Sequence, residues 1–336
     1  MSSNTPTTAG HSISMPLGWI DPTARSPFQQ DIHLGIMRAM PVFAAPGNAF
    51  AKPEVGTKLL LPGLWNHARV VERFGKPYTG VHQISGSCVG AAGGDVLTTL
   101  SMIEVLTSNE PELISMPYWL WLYGLSRRYA GMNGKGEGSF GSTFAKAWSQ
   151  DGSPDMYDTK LALPIPTSTT DGWVWGQQQE LAWSDGNVSR PEVRDEGKKH
   201  KGISTPVNSA ESVRDFILNG YPCTRASMRF VNPNSASVKN GALIGTHNGR
   251  GGHQESWLGY WHHPQNGELI WEQNQWGLNT YGTDPGGGPR GGCWISMDTC
   301  QRMIDESDSE VFAFSQYEGY PAQPNLYDWV NNSPIA

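Results

Sequence analysis

Cysteine is scarce in this chain, with four residues, at 88, 223, 293 and 300, among 336. That is too few for a disulfide scaffold in a chain of this length, and no two of them form a CxxC pair, so a reducing compartment is expected. Basic surplus is also missing. Lys and Arg number 24 against 31 Asp and Glu, for a formal net charge of −7, and the single cationic cluster, Lys198-Lys199-His200-Lys201, is expected to be a solvated loop. A nucleic-acid partner is excluded on that ground, because such binding gathers Lys and Arg on one face. Long apolar runs are absent too. The stretch Met116 to Leu122 is far shorter than the roughly 20 residues a bilayer-spanning helix needs, so no membrane partner is expected. The N-terminal Met1-Ser2-Ser3-Asn4-Thr5-Pro6 has neither a basic segment nor an apolar core, which predicts no secretory signal. The adjacent His262 and His263 point to opposite faces of a strand and do not suit one ion, so no metal or other cofactor is expected.

What is present is a globular composition: 38% hydrophobic and 16% charged residues, 14 Trp, 40 Gly and 24 Pro, enough for a sizeable core with many turns. Length alone does not decide between one domain and two. Residues 1–58 read as an extended arm of Pro, Gly and Ser with short apolar patches, carrying a short helix over Gln29 to Met40. Residues 59–206 read as helical. Apolar or small residues Val89, Ala92, Val96, Leu100, Ile103 and Leu106 recur at the helical period up to Pro111. A second helix spans Pro117 to Tyr129, with Ser115 as cap and Gly131 as stop, and a third runs from Gly138-Ser139 to Trp148. Within this part, 153–206 reads as an irregular, Trp-rich surface excursion. Residues 207–318 change character. After a helix through Val213 and Phe216, Cys223 to Phe230 alternates as a strand, a Gly-rich loop runs to Gly252, and His253 to Trp261 pairs with Glu268 to Asn274 around Asn266-Gly267. Gly291 to Met297 and Val311 to Gln316 read as further strands, and 319–336 as a tail.

The chemistry concentrates on Gln83-Ile84-Ser85-Gly86-Ser87-Cys88-Val89-Gly90. A turn here runs straight into a helix, placing Cys88 at a helix N-terminus, where free N–H groups and the dipole favour the thiolate, the nucleophilic form. The alternative is an inert cysteine acting as a small buried hydrophobe. A thiolate nucleophile needs a base, and the base needs an orienting group. A lone histidine is more often structural than catalytic, but His253 opens a strand directly behind Gly251-Gly252, where absent side chains leave its ring open to a cleft. Asn274 ends the partner strand and falls beside it, and Trp276 covers that contact. Gln83 is positioned to donate to a developing oxyanion together with the Cys88 N–H.

Gln83…Gly86-Ser87-Cys88, then His253…Gly259-Tyr260, then Asn274-Gln275-Trp276-Gly277…Tyr281-Gly282 resemble, in order and local sequence, the three signature blocks of papain-like cysteine peptidases. Ser115-Met116-Pro117-Tyr118-Trp119, Arg127-Arg128-Tyr129, Gly138-Ser139 and Gly220-Tyr221-Pro222 resemble bacterial or phage-like members. The resemblance covers roughly residues 60–316. It implies an α+β, two-lobed fold in which a helical lobe carries the cysteine, an antiparallel sheet lobe carries His and Asn, and a peptide or protein substrate lies between them. It implies a thiol peptidase with catalytic Cys88, His253 and Asn274, an oxyanion site at Gln83, support from Trp276, and no cofactor.

The sequence also departs from the family. The interval 88 − 83 = 5 is one residue shorter than usual, so either the turn is shortened or His82 takes the oxyanion place. Val89 replaces an aromatic residue. His253 and Asn274 lie 165 and 186 residues beyond Cys88 (253 − 88 and 274 − 88), against roughly 130–150 in the papain signature, which implies insertions in the excursion and at the hairpin tip. The disulfide cysteine usually preceding the nucleophile is missing, and no inhibitory prosegment is evident. The long arm and these departures define a second reading, in which a papain-like fold serves as a structural or binding component of a larger assembly, such as a phage particle, docked through the arm. The expected location is the cytoplasm or a virus particle. A third class, acyl transfer or cell-wall amide hydrolysis, uses the same groups.

Overall fold

The computed structural model describes residues 19–20, 25–40, 53–107, 113–134, 136–185, 190–316 and 326. The rest of the arm and, apart from Leu326, the tail expected over 319–336 lie outside the described residues. The arm's helix, α1, spans Pro27–Ala39. It starts two residues earlier than the apolar spacing indicated because Ser26 and Gln29 form a reciprocal capping box and Pro27 occupies the first turn.

Strand β1 (Lys58–Leu60), a 3-10 segment (Leu61–Asn66), α2 (Ala68–Phe74) and β2 (Val81–His82) lead to the helices α3 (Cys88–Thr107), α4 (Trp119–Tyr129) and α5 (Gly141–Gln150). In length and composition α3 would suffice to cross a membrane, a point the run Met116 to Leu122 did not reveal. It is the protein's core helix instead, 94% buried in its most apolar stretch. The aromatic belt of α4 is buried as well, including Trp119, Trp121 and Tyr123.

What covers that belt corrects the reading of 153–206 as an irregular surface excursion. The segment forms β3 (Thr167–Thr169), β4 (Gly172–Val174), α6 (Gln177–Ser184), α7 (Pro191–Gly197) and β5 (Ile203–Pro206). Trp173, Trp175 and Trp183 are buried. The Trp183 ring meets Tyr118 edge-on at 4.7 Å and Trp121 at 6.4 Å, and Trp175 lies 5.3 Å from Tyr118. Each such side chain, removed from water, contributes roughly 1.5–3 kcal/mol, so polar neighbours in sequence do not keep these tryptophans at the surface.

The sheet side contains α8 (Ala210–Leu218), β6 (Cys223–Lys239), β7 (Ala242–His263), β8 (Gly267–Gln273), β9 (Gly292–Ser296), α9 (Met297–Ile304) and β10 (Glu310–Ser315). The strands run in the order β5-β10-β6-β7-β8-β9, with β1 added on β7. A parallel contact between Ile244 of β7 and Trp294 of β9 curls the sheet back on itself. The stretch expected to be a Gly-rich loop is instead the second half of β6 and the first half of β7. Asn240 (φ 50°) and Gly241 (φ 86°) make the tight reversal, and Asn-Gly is the residue pair such a hairpin favours. The α+β division into a helical and a sheet lobe is therefore present, with β1 and β5 crossing from the helical stretch of sequence to the sheet.

Candidate active site

The turn Gln83–Cys88 hangs between β2 and α3. Strand β2 pairs in parallel with β4, Val81 opposite Trp173 and His82 opposite Val174, so the Trp-rich segment fixes the backbone entering the turn. The Gln83 N–H donates to Gln275 O at 2.8 Å, and its Nε2 donates to Ser85 O at 3.0 Å. The Ala91 N–H donates to Ser87 O at 3.0 Å; the Ser87 carbonyl thus takes the first helical bond, and Cys88 is the first helical residue, at the positive end of the α3 dipole. Its side chain is fully buried. The other oxyanion candidate, His82, turns toward the β3–β4 reversal, with Nδ1 3.5 Å from Asp171 Oδ2.

Three side chains from elsewhere hold this turn. Glu180 of α6 accepts from the Ser85 N–H at 3.2 Å and from the hydroxyls of Ser85 and Ser87. Glu137 accepts from the Gly86 N–H at 2.6 Å, and the Tyr123 hydroxyl donates to Gly86 O at 2.7 Å. Burial raises the Glu180 carboxyl above its ordinary value, against the lowering effect of these donors. Sequence reasoning missed Glu180 and Glu137, and no local signal marks either one.

His253 is aimed by a bulge. Ser227 pairs with His253 and Arg229 with Arg250, so Gly251 and Gly252 oppose Met228 alone, and Gly251 takes φ 129°, a conformation side chains disfavour. The ring Nε2 lies 3.2 Å from Asn274 Oδ1. The Trp276 backbone N–H, which can only donate, also points at that atom, at 3.2 Å. The atom is therefore the amide oxygen, His253 Nε2 must carry a proton, and in the neutral ring Nδ1 carries the lone pair. Nδ1 is buried and makes no hydrogen bond among the described residues. The Trp276 ring stacks on the imidazole, centroids 4.1 Å apart and planes 20° apart. Burial lowers the His253 pKa to about 3; the Asn274 hydrogen bond opposes this and Arg225 adds to it. The imidazolium thus needs an anion beside it.

Hydrogen bonds tie α3 to these strands. Ser256 Oγ donates to Ala92 O at 3.0 Å, and Gln275 Nε2 donates to Asp95 Oδ2 at 3.0 Å. Asp95 also accepts from the Tyr78 hydroxyl and the Val81 N–H, each at 2.7 Å. Burial still raises its carboxyl to about 7, against the lowering effect of those donors. Behind Asn274, its Nδ2 lies 3.5 Å from Glu255 Oε1. Glu255 shares a wholly buried site with Glu272, and burial followed by their mutual repulsion raises Glu255 well above the carboxylate range. Glu255 stands two residues after His253 on β7, hence on the same face; that period was a usable signal.

The arm reaches the same edge. The Trp19 N–H donates to Gly252 O at 3.1 Å, next to His253, and the Ile20 N–H donates to Ser139 O at 3.2 Å. Arg25 is buried against Phe140, 4.0 Å from the ring centre, and pairs with buried Glu310 at 2.5 Å. Burial pushes the Glu310 carboxyl up, but Arg25, His33 and the Ser142 N–H outweigh it and hold it below its ordinary value.

No protein-family model matches the chain, and no curated protein sequence does. Among solved structures it is similar to xylellain, a cysteine protease from Xylella fastidiosa, at 12% identity over 90% of this chain and 92% of that one, with a TM-score of 0.51. It is also similar to proCathepsin B S9 from Trypanosoma congolense (12% identity, 91% and 86% covered, TM-score 0.48) and to bromelain from Ananas comosus (12%, 78% and 99%, TM-score 0.47). At this identity the xylellain likeness speaks to architecture: the chain has a papain-like fold.

Proposed function

We propose that the chain is a papain-like cysteine peptidase hydrolysing peptide bonds in a peptide or protein substrate. The observation that carries this reading is the Asn274-fixed tautomer of His253, which leaves a buried, unprotonated Nδ1 on a strand tied to the nucleophile helix. In this mechanism His253 Nδ1 takes the Cys88 thiol proton. The thiolate attacks the substrate carbonyl, and the Cys88 N–H with the Gln83 amide stabilises the oxyanion. The imidazolium then protonates the leaving amine, and water hydrolyses the thioester by the same proton path in reverse. Asn274 keeps the ring oriented, and Trp276 shields their hydrogen bond from water. An epoxide or alkylating thiol reagent is expected to modify Cys88 selectively and to stop cleavage of a peptide library. A folded sample that reacts at no cysteine at neutral pH would sink the reading.

A second reading, a structural or binding component of a larger assembly with little catalysis, is favoured by the arm lying along Gly252. It expects removal of residues 1 to about 55 to abolish association with partners while the remainder stays folded. Unchanged assembly of the shortened chain would dismiss it.

A further inference from the structure

Glu180 belongs to no signature block, and it comes from α6 in the Trp-rich segment between Cys88 and His253. Its carboxylate is nevertheless a hub of the turn before Cys88. With Glu180 on the Ser85 N–H, Glu137 on the Gly86 N–H, and the Ser87 N–H on Ser85 O at 2.8 Å, every backbone donor of Ser85 to Ser87 is engaged. Both serine hydroxyls of that stretch converge on one Glu180 oxygen. The carboxylate is itself held in place, because Trp183, one helical turn further along α6, is buried against Tyr118, which precedes α4, and Trp121 of α4.

We propose that Glu180 is a positioning residue: its buried carboxylate fixes Ser85–Ser87, and through them the approach of Cys88 and of the Gln83 amide to a bound carbonyl. The inference rests on the peptidase reading for its consequence in turnover. Its geometric content, the setting of the Cys88 thiol, is independent of any substrate. A charge-assisted acceptor buried with several donors is among the stronger hydrogen-bonding arrangements. Misplacing a reacting group by about 1 Å costs on the order of a hundred-fold in rate. Substrate contacts outside the turn are untouched, so the loss falls on kcat and not on KM.

The test compares wild type, Glu180→Ala, Glu180→Gln and the double variant Ser85→Ala/Ser87→Ala. The readouts are peptide cleavage, the second-order rate of Cys88 alkylation by iodoacetamide followed by peptide mass mapping, and thermal unfolding. Glu180→Ala is expected to lower kcat by about a hundred-fold with KM within about two-fold, and to slow alkylation. Glu180→Gln, which keeps an acceptor oxygen in place, is expected to recover most of the loss. The serine variant, which leaves Glu180 in position but removes the hydroxyls it holds, is expected to lose about ten-fold. Wild-type kcat and alkylation in Glu180→Ala would overturn the proposal. If that variant does not fold, wild-type values in the serine variant overturn it instead. Wild-type protein that alkylates at Cys88 yet cleaves nothing removes the peptidase reading and leaves the alkylation ratios to decide on Glu180. Wild-type protein whose Cys88 never alkylates defeats both.

Discussion

On the sheet side of the site, His253 and Asn274 sit on or beside paired strands whose register is set by backbone hydrogen bonds: Ser227 opposite His253, Ser256 opposite Gln273, and the Asn274 N–H on Gly291 O at 3.0 Å. On the helical side, the turn before Cys88 takes its shape from side chains of Glu180, Glu137 and Tyr123, which come from three separate segments. Backbone ladders survive most side-chain changes, because every residue but proline supplies the same donor and acceptor. A clasp of carboxylates does not, since one substitution leaves buried donors unmatched. The half that carries His253 and Asn274 is therefore built on backbone ladders, and the half that carries Cys88 on a clasp of side chains.

The largest expected effect asks whether both halves serve one reaction. Cys88→Ala and His253→Ala should each reduce kcat by about 10⁴-fold or more, and the double variant should lose little beyond either alone, as groups acting as a unit do. Full additivity in steady-state cleavage would separate the halves. Next comes the orienting group: Asn274→Ala should cost about a hundred-fold in kcat by releasing the imidazole, more than Trp276→Ala, which removes a cover and leaves the backbone donor in place. Were Trp276→Ala the more damaging, stacking and not the amide would be what orients His253.

The smallest effect concerns stability. Burial holds the carboxyls of Glu255 and Glu272 above the ordinary 4.5, so the folded state binds a proton that the unfolded chain releases first as pH rises. The stabilisation is complete below the unfolded value and is lost as pH climbs through the folded ones. Glu272→Gln, permanently neutral and still able to accept from Trp257 Nε1, should therefore be more stable than wild type at pH 8 by about 1–2 kcal/mol, and should differ little near pH 4.5. Calorimetry at the two values checks it; a variant less stable at pH 8 would place the pair's worth in its charge.

The same contrast explains what could be read from the sequence. His253, Asn274 and Trp276 lie within 23 residues of each other (276 − 253), and strand alternation with a hairpin turn brings them together without long-range knowledge. The cysteine at the start of α3 was legible from the helical period. Glu180 lies 92 residues beyond Cys88 (180 − 88), in a stretch whose Gln, Gly and Trp residues show no clear period, and only tertiary packing of Trp183 on α4 delivers it. The first half of β7 was misread because its glycines look like loop residues, although Gly245 and Gly249 sit where neighbouring strands leave no room for side chains. Gly249, for example, packs with the Phe230 ring where a Cβ would fall 2.3 Å from Cε2. Asn240-Gly241 was the overlooked clue.

The arm's grip has a thermodynamic consequence. Docked, the arm keeps Glu310 below its ordinary value through Arg25 and His33, while burial depresses the imidazole of His33 itself. Undocked, both groups return toward ordinary affinities and together bind more protons than before. Release of the arm is therefore expected to take up protons, so a pH below about 6.5, the ordinary histidine value, should weaken the packing of α1 on Glu310, and limited proteolysis followed as pH is lowered would check it.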